Sequence, residues 1–146
     1  MPHTWDPDRY LTYADERGRP LLVVNPKAGG GKTGAIMNDV RAAVERKLGE
    51  VDVASTTGRG SAIDLAKSGA NEGRELVVAV GGDGTFGEVC NGILESGKPA
   101  RVGLIGQGTG GDFRKTLGIE HRLDRYVEAL ASGKERTLDV GKARFR

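Results

Sequence analysis

The sequence predicts an α/β fold: a three-layer, mostly parallel, Rossmann-like sheet in a single domain. Two observations predict it. Short apolar runs alternate with segments of helical periodicity along most of the chain, and strands alternating with helices imply right-handed crossovers and a sheet covered on both faces. The 24 glycines among 146 residues also gather into three clusters, each following an apolar run. Glycine serves where backbone turns sharply or approaches a ligand closely, and in such sheets the ligand lies beyond the carboxyl ends of the strands.

The elements follow in order. Residues 1–20 hold the only Trp and two of the three Tyr, Tyr10 and Tyr13, and stand outside the alternation as an N-terminal extension. Residues 21–137 form the α/β domain. Five apolar runs read as buried strands, at 21–25, 51–55, 76–80, 102–105 and 138–140. Between them, residues 33–48 place Ile36, Val40, Ala43, Val44 and Leu48 at helical spacing. A second helix over 61–68 buries Ala62, Ile63, Leu65 and Ala66. A third starts after Thr85 and buries Phe86, Val89, Cys90, Ile93 and Leu94. A fourth over 123–131 offers Val127, Leu130 and Ala131, with Gly133 as its stop.

Bulk properties exclude several classes. With 37% hydrophobic and 29% charged residues the chain has the composition of a water-soluble domain. Its net charge of +2 and its interleaved acids and bases do not fit a nucleic-acid binder. The lone Cys90 excludes an internal disulfide, fits a reducing compartment, and lies on the apolar face of its helix. No run approaches the roughly 18 apolar residues of a spanning helix, and no signal peptide opens the chain. The expected location is the cytoplasm.

The three glycine loops carry the chemistry. The first is Asn25-Pro26-Lys27-Ala28-Gly29-Gly30-Gly31-Lys32-Thr33, between a strand and a helix. A helix start presents unpaired N–H groups and a partial positive charge, which favour phosphate. It is not a P-loop, since G-x-x-x-x-G-K-S/T needs Gly where Pro26 stands. The plainer reading is a strand-to-helix turn capped by Thr33. The second loop is Gly81-Gly82-Asp83-Gly84-Thr85. Three glycines let amides meet a polyphosphate while one carboxylate faces it, and a carboxylate there handles Mg²⁺ or a proton. Asp83 is therefore the candidate catalytic residue, against an alternative role in an Asx-turn. Thr85 and Glu88 have the T-x-x-E spacing of a capping box, which accounts for Glu88 as well as a catalytic role does. The third loop is Gly106-Gln107-Gly108-Thr109-Gly110-Gly111-Asp112, with Asp112 either an N-cap or part of a wall of the site.

These loops, in this order and spacing, resemble the catalytic domain shared by diacylglycerol kinases, sphingosine and ceramide kinases, and bacterial lipid kinases. The likeness runs from about Leu21 to Arg146. It includes Asn25-Pro26, Gly29 to Lys32, Thr56-Thr57 with Gly60, Gly81 to Thr85 with Glu88-Val89 and Asn91-Gly92, and Gly108-Thr109-Gly110 with Asp112. The core at 81–85 alone is shared with NAD kinases, so a NAD kinase-like phosphotransferase is the alternative enzyme. A non-catalytic truncated or hybrid chain is the alternative of another class. The resemblance implies that ATP with Mg²⁺ binds across the loops and passes its γ-phosphate to a lipid hydroxyl. Gly81, Gly82, Gly84 and Thr85 would hold phosphates. Asp83 would serve the Mg²⁺–phosphate network or act as base. Asn25, Lys32, Thr57, Glu88, Gly108, Thr109 and Asp112 would complete the nucleotide site.

The chain departs from the pattern at Gly111, where the family usually has Asn, and at Ser61, where it often has His. Members typically continue into a β-sandwich that supplies the acceptor pocket. Residues 138–146 read as a strand leading into such a domain, so the fragment is expected to be inactive alone, and that strand to pair with another chain, as in a homodimer, or to be disordered. Residues 1–20 resemble a trans-aconitate methyltransferase start, although the glycine motif such an enzyme needs is absent. Arg114, Lys115, His121, Arg122 and Arg125 offer peripheral membrane contact or, more simply, a solvated face.

Overall fold

The computed structural model describes residues 18–107 and 119–132. The chain runs β1 (Leu21–Val24), α1 (Lys32–Leu48), β2 (Asp52–Ser55), α2 (Ser61–Asn71), β3 (Leu76–Gly81), α3 (Asp83–Ser96), β4 (Arg101–Gly106) and α4 (Leu123–Ala131). The strands form one sheet in the order β2-β1-β3-β4. Every pairing is parallel, with Leu21 opposite both Asp52 and Val77, and Leu76 opposite Arg101. The expected α/β fold is present. The strand at 138–140 and the extension at 1–17 lie outside the described residues.

The two inner strands are apolar throughout because neither face meets water: Leu22, Val23, Val24 and Val77 through Val80 are all fully buried. Successive side chains point to opposite faces, and the contacts show what covers each. A methyl on Gly69 of α2 would meet Leu21 and Val77, whereas one on Gly103 of β4 would meet Val78 and Leu130 of α4. Helices therefore cover both faces, α2 and α3 packed together on one, α1 and α4 on the other. The α2–α3 contact is close enough to require glycine at 92, where a methyl would meet the Ile63 carbonyl oxygen and, at 2.8 Å, Ala66 Cβ.

Four expectations are corrected. Leu94 is not buried by α3 but stays 58% exposed. β2 is not a buried strand. Among the described residues β1 alone pairs with it, its burial alternates, and Val53 stays 37% exposed. α2 runs three residues beyond Ser68, to Asn71, because Gly69 and Ala70 are small enough to pack against the sheet. α3 begins at Asp83, before Thr85, with Gly82 as its N-cap. Cys90 does pack beside the core, and burial pushes its thiol pKa up.

No helix among the described residues is long and apolar enough to cross a membrane. On α4 and the turn before it, Arg122 pairs with Asp124 at 2.8 Å and Arg125 with Glu128 at 3.0 Å, as on a solvated face.

The amino end of the sheet is held by ions. Arg74, after α2, donates to Asp52 Oδ2 at 2.7 Å and to the Arg19 carbonyl at 3.0 Å, while Arg19 pairs with Glu50 at 2.7 Å. Burial alone would raise the Asp52 pKa, but the hydrogen bond and charge of Arg74, with Arg19 beside it, outweigh burial and hold the carboxyl below its ordinary value of 3.8. A carboxylate lowered on folding stabilises the fold above its unfolded pKa and loses that effect as pH falls through the folded one. Asp52→Asn is thus expected to cost on the order of 1 kcal/mol at neutral pH. In thermal melts the gap to wild type should stay constant from pH 7 to about 5 and close as the pH falls below 4.

Candidate active site

β1 and β3 lie side by side, but their following helices leave for opposite faces, so a crevice opens at their carboxyl ends. A cleft of about 300 Å³ occupies it, lined by Asn25, Ala28, Gly29 and Gly30 after β1 and by Gly82, Gly84 and Thr85 after β3. The first and second glycine loops therefore face one another. The third reaches the same edge at Gln107, whose N–H donates to the Gly81 carbonyl at 2.8 Å.

Close approaches assemble the three loops. At Gly81 a Cβ would stand 2.7 Å from Thr85 Oγ1 and 3.4 Å from Asn25 Cβ, so only glycine lets the end of β3 lie between the first loop and the first turn of α3. Gly29, at φ +65°, lies where a Cβ would be 2.7 Å from the Gln107 carbonyl oxygen, joining the first loop to the third. Gly30 and Gly31 also have positive φ, and nothing stands within 4 Å of where their Cβ atoms would be. Gly106 has a packing reason instead: a Cβ there would meet the buried Tyr126 hydroxyl, which lies 2.9 Å from His121 Nδ1.

The electrostatics come from backbone. α1 opens at Gly31 and α3 at Gly82, neither with a side-chain cap. At α1 the first-turn amides are already taken by the loop before it, Lys32 donating to the Gly29 carbonyl at 3.4 Å, Thr33 to Ala28 at 3.3 Å and Gly34 to Pro26 at 3.1 Å. The β1 border of the cleft is therefore the loop at Ala28, Gly29 and Gly30, and the border after β3 is the start of α3, whose first-turn amides and positive dipole end suit phosphate. The glycine sites with open space beside them leave room for such a group to come close.

The sequence-derived residues divide into groups. Asn25, Gly82, Gly84 and Thr85 line the cleft. Asn25 Oδ1 also accepts the Lys27 N–H at 3.1 Å, which shapes the first loop. Gly81 lies buried beneath the cleft, and Asp83 stands half-buried at the first position of α3 between two lining glycines. Lys32 is exposed at the first position of α1. Thr57 is exposed beyond β2, on the far side of β1 from the cleft, its N–H donating to Ser61 Oγ at 3.1 Å. Gly108, Thr109 and Asp112 lie outside the described residues.

Two local roles are corrected. Thr33 does not cap α1. It is fully buried inside the first turn, its hydroxyl donating to the Ala28 carbonyl at 2.9 Å. Thr85 and Glu88 form no capping box, because Thr85 is already the third helical residue and Glu88 Oε1 accepts from the Gly60 N–H at 3.0 Å. Sequence reasoning left Ala28, Gly29, Gly30 and Gln107 off the list of site residues, although the run of glycines at 29–31 was the signal for the first three.

Residues 19–143 match the diacylglycerol kinase catalytic domain. The chain belongs to that family. Among curated family members, the diacylglycerol kinase of Staphylococcus carnosus (strain TM300) is 30% identical over 130 residues, covering 89% of this chain and 42% of that protein. That of Staphylococcus aureus (strain MRSA252) is 29% identical over 130 residues, with 89% and 41% covered. A crystal structure of a family member, a diacylglycerol kinase from Bacillus anthracis str. Sterne, matches with a TM-score of 0.71 at 26% identity, over 80% of this chain and 42% of that one. The chain thus spans about two fifths of the length of these family members.

The loop contacts make a differential prediction. Gly30→Ala adds only the strain of a side chain at positive φ, about 1 kcal/mol. Gly29→Ala adds that strain and a clash with the Gln107 backbone, and is expected to cost a further 1 kcal/mol or so. Urea midpoints at constant slope would measure both; equal losses would show that the first and third loops do not touch at Gly29.

Proposed function

We propose that this chain is the ATP-binding part of a lipid kinase, holding the nucleotide in the cleft between β1 and β3 for transfer of its γ-phosphate to a lipid hydroxyl. The observation that carries this is the cleft in which the glycine loop before α1 faces the glycine-capped start of α3. Membership of the diacylglycerol kinase family supports it.

The residues take the following parts. Amides of the first turn of α3 bind the phosphates, with Gly82 and Gly84 allowing close approach, and the loop at Gly29 and Gly30 faces them across the cleft. Asn25 and Thr85 fix the cleft walls, and Lys32 adds a positive charge at the head of α1. Mg²⁺ fits this donor set as a companion of the triphosphate. Among the described residues no group of three or more His, Cys, Asp and Glu could hold a metal ion, and Mg²⁺ is commonly held by one or two carboxylates with substrate phosphates. Asp83 is the carboxylate placed for that service, or for taking the proton of the acceptor hydroxyl. Bound there, ATP supplies the phosphoryl group and Mg²⁺ neutralises charge on it. Positioning of the acceptor carries much of such catalysis. The lipid pocket is proposed to lie in sequence corresponding to the remaining three fifths of the family members, with contact at a membrane surface.

A thermal and calorimetric titration of the 146-residue chain tests this. With ATP and Mg²⁺ at 100 times the dissociation constant, stability should rise by about 2.7 kcal/mol, while diacylglycerol presented in micelles should not be phosphorylated. Asp83→Asn should shrink the gain in ATP affinity that Mg²⁺ gives. Absence of any nucleotide-dependent shift would overturn the proposal.

A further inference from the structure

Among the described residues three helices open on a glycine without a side-chain cap of its own: Gly31 before α1, Gly60 before α2 and Gly82 before α3. The loop before α1 and the start of α3 border the cleft. The end of α2 is already met by an anion. Glu88, in the second turn of α3, brings Oε1 to 3.0 Å from the Gly60 amide, which donates to it across 28 positions of sequence. A carboxylate at that place satisfies an amide and complements the helix dipole. The close packing of α2 on α3 at Gly92 brings the two within reach.

The contact falls on the turn that follows β2. There the Thr57 amide donates to Ser61 Oγ at 3.1 Å, and the Ser61 amide donates to the Gly58 carbonyl at 3.2 Å. Gly60 sits at φ +84°. Both bonds are internal to the turn; the Thr56 amide, donating to the Val24 carbonyl at 2.8 Å, ties its first end to β1 and leaves the Gly60 end to be held. Glu88 reaches it from another element, and from the helix whose first residues line the cleft.

We infer that Glu88 is a positioning residue of the nucleotide site: through the Gly60 amide it locks the turn at residues 57–60 to α3, so that the rim beyond β2 and the floor of the cleft keep one relative placement. This rests on the nucleotide reading above. Glu88 acts through backbone and does not touch the ligand, in contrast to the direct nucleotide contact that the family resemblance implies for it.

Three variants of the 146-residue chain separate these roles. Glu88→Gln keeps an oxygen acceptor at the same reach without the charge. Glu88→Asp keeps the charge but withdraws it by one methylene, and Glu88→Ala removes both. Amide hydrogen exchange of the free protein should quicken about tenfold at Gly60 in E88A and E88D and stay near wild type in E88Q. The calorimetric dissociation constant for Mg·ATP should rise three- to tenfold, roughly, in E88A and E88D and remain within about twofold in E88Q. Should E88A fail to fold, E88D and E88Q carry the comparison. Faster exchange with unchanged affinity would make the contact merely structural and overturn the inference. An E88Q affinity as poor as that of E88A or E88D would mean that the charge meets the ligand directly, and would overturn it too. A wild-type chain that binds no Mg·ATP sinks the proposed function and this inference with it. Unaltered Gly60 exchange in E88A and E88D sinks this inference alone.

Discussion

The site depends on how close backbone comes to backbone at Gly81. The last residue of β3 passes between the first turn of α3 and the end of β1, with room for a hydrogen and none for a methyl. That approach places the Asn25 loop and the Gly82 helix start on either side of one crevice. The Asn25 N–H, bonded to the Val80 carbonyl at 2.9 Å, and the Gln107 N–H, bonded to Gly81, extend the ladder past the strand ends and hold the first two loops and the start of the third to the same edge. Behind it, β1 and β3 are buried on both faces, and each fully buried Val or Leu contributes roughly 1.5–3 kcal/mol. The loops are thus mounted on the most stable part of the sheet. Glycine turns that would be loose elsewhere become a shaped cradle there.

Stability and chemistry occupy opposite ends of the strands. At the amino end, Arg19, Asp52 and Arg74 pair side chain to side chain, and the charges largely satisfy one another. At the carboxyl end the donors are backbone amides of the start of α3, left without a side-chain cap at Gly82. A capping Ser or Asp at Gly82, where the backbone is extended, would stabilise α3 by about 1 kcal/mol but would put an oxygen where the proposed phosphate lies. The α2 end shows the contrast, because there a protein carboxylate, Glu88, fills the role.

Much of this was legible in the sequence. Continuous apolar runs at 21–24 and 76–80 marked the inner strands because burial on both faces leaves no alternation to confuse, and the glycine loops after them marked the site. The misses share a cause. Thr33, Thr85 and Glu88 each matched a local capping pattern, yet their polar atoms or placement answer to other constraints: Thr33 bonds back to Ala28, Thr85 packs against Gly81, and Glu88 bonds to Gly60 in another helix. Local spacing does not encode a partner 28 residues away. β2 misled for a related reason: Val51, Val53 and Ala54 suggested burial, but Asp52 and Ser55 interrupt the run, and among the described residues the sheet order leaves this strand at an edge. Gly92 and Gly106, read with family and loop motifs, proved to be packing glycines against Ala66 and Tyr126.

The most direct measurement is a backbone amide NMR titration of the chain with Mg·ATP. The account predicts that the amides of residues 28–31 and 82–85 shift together, saturating at a single dissociation constant, while those around Arg19, Asp52 and Arg74 stay still. Shifts confined to one of the two loops, or centred on the amino end of the sheet, would contradict it.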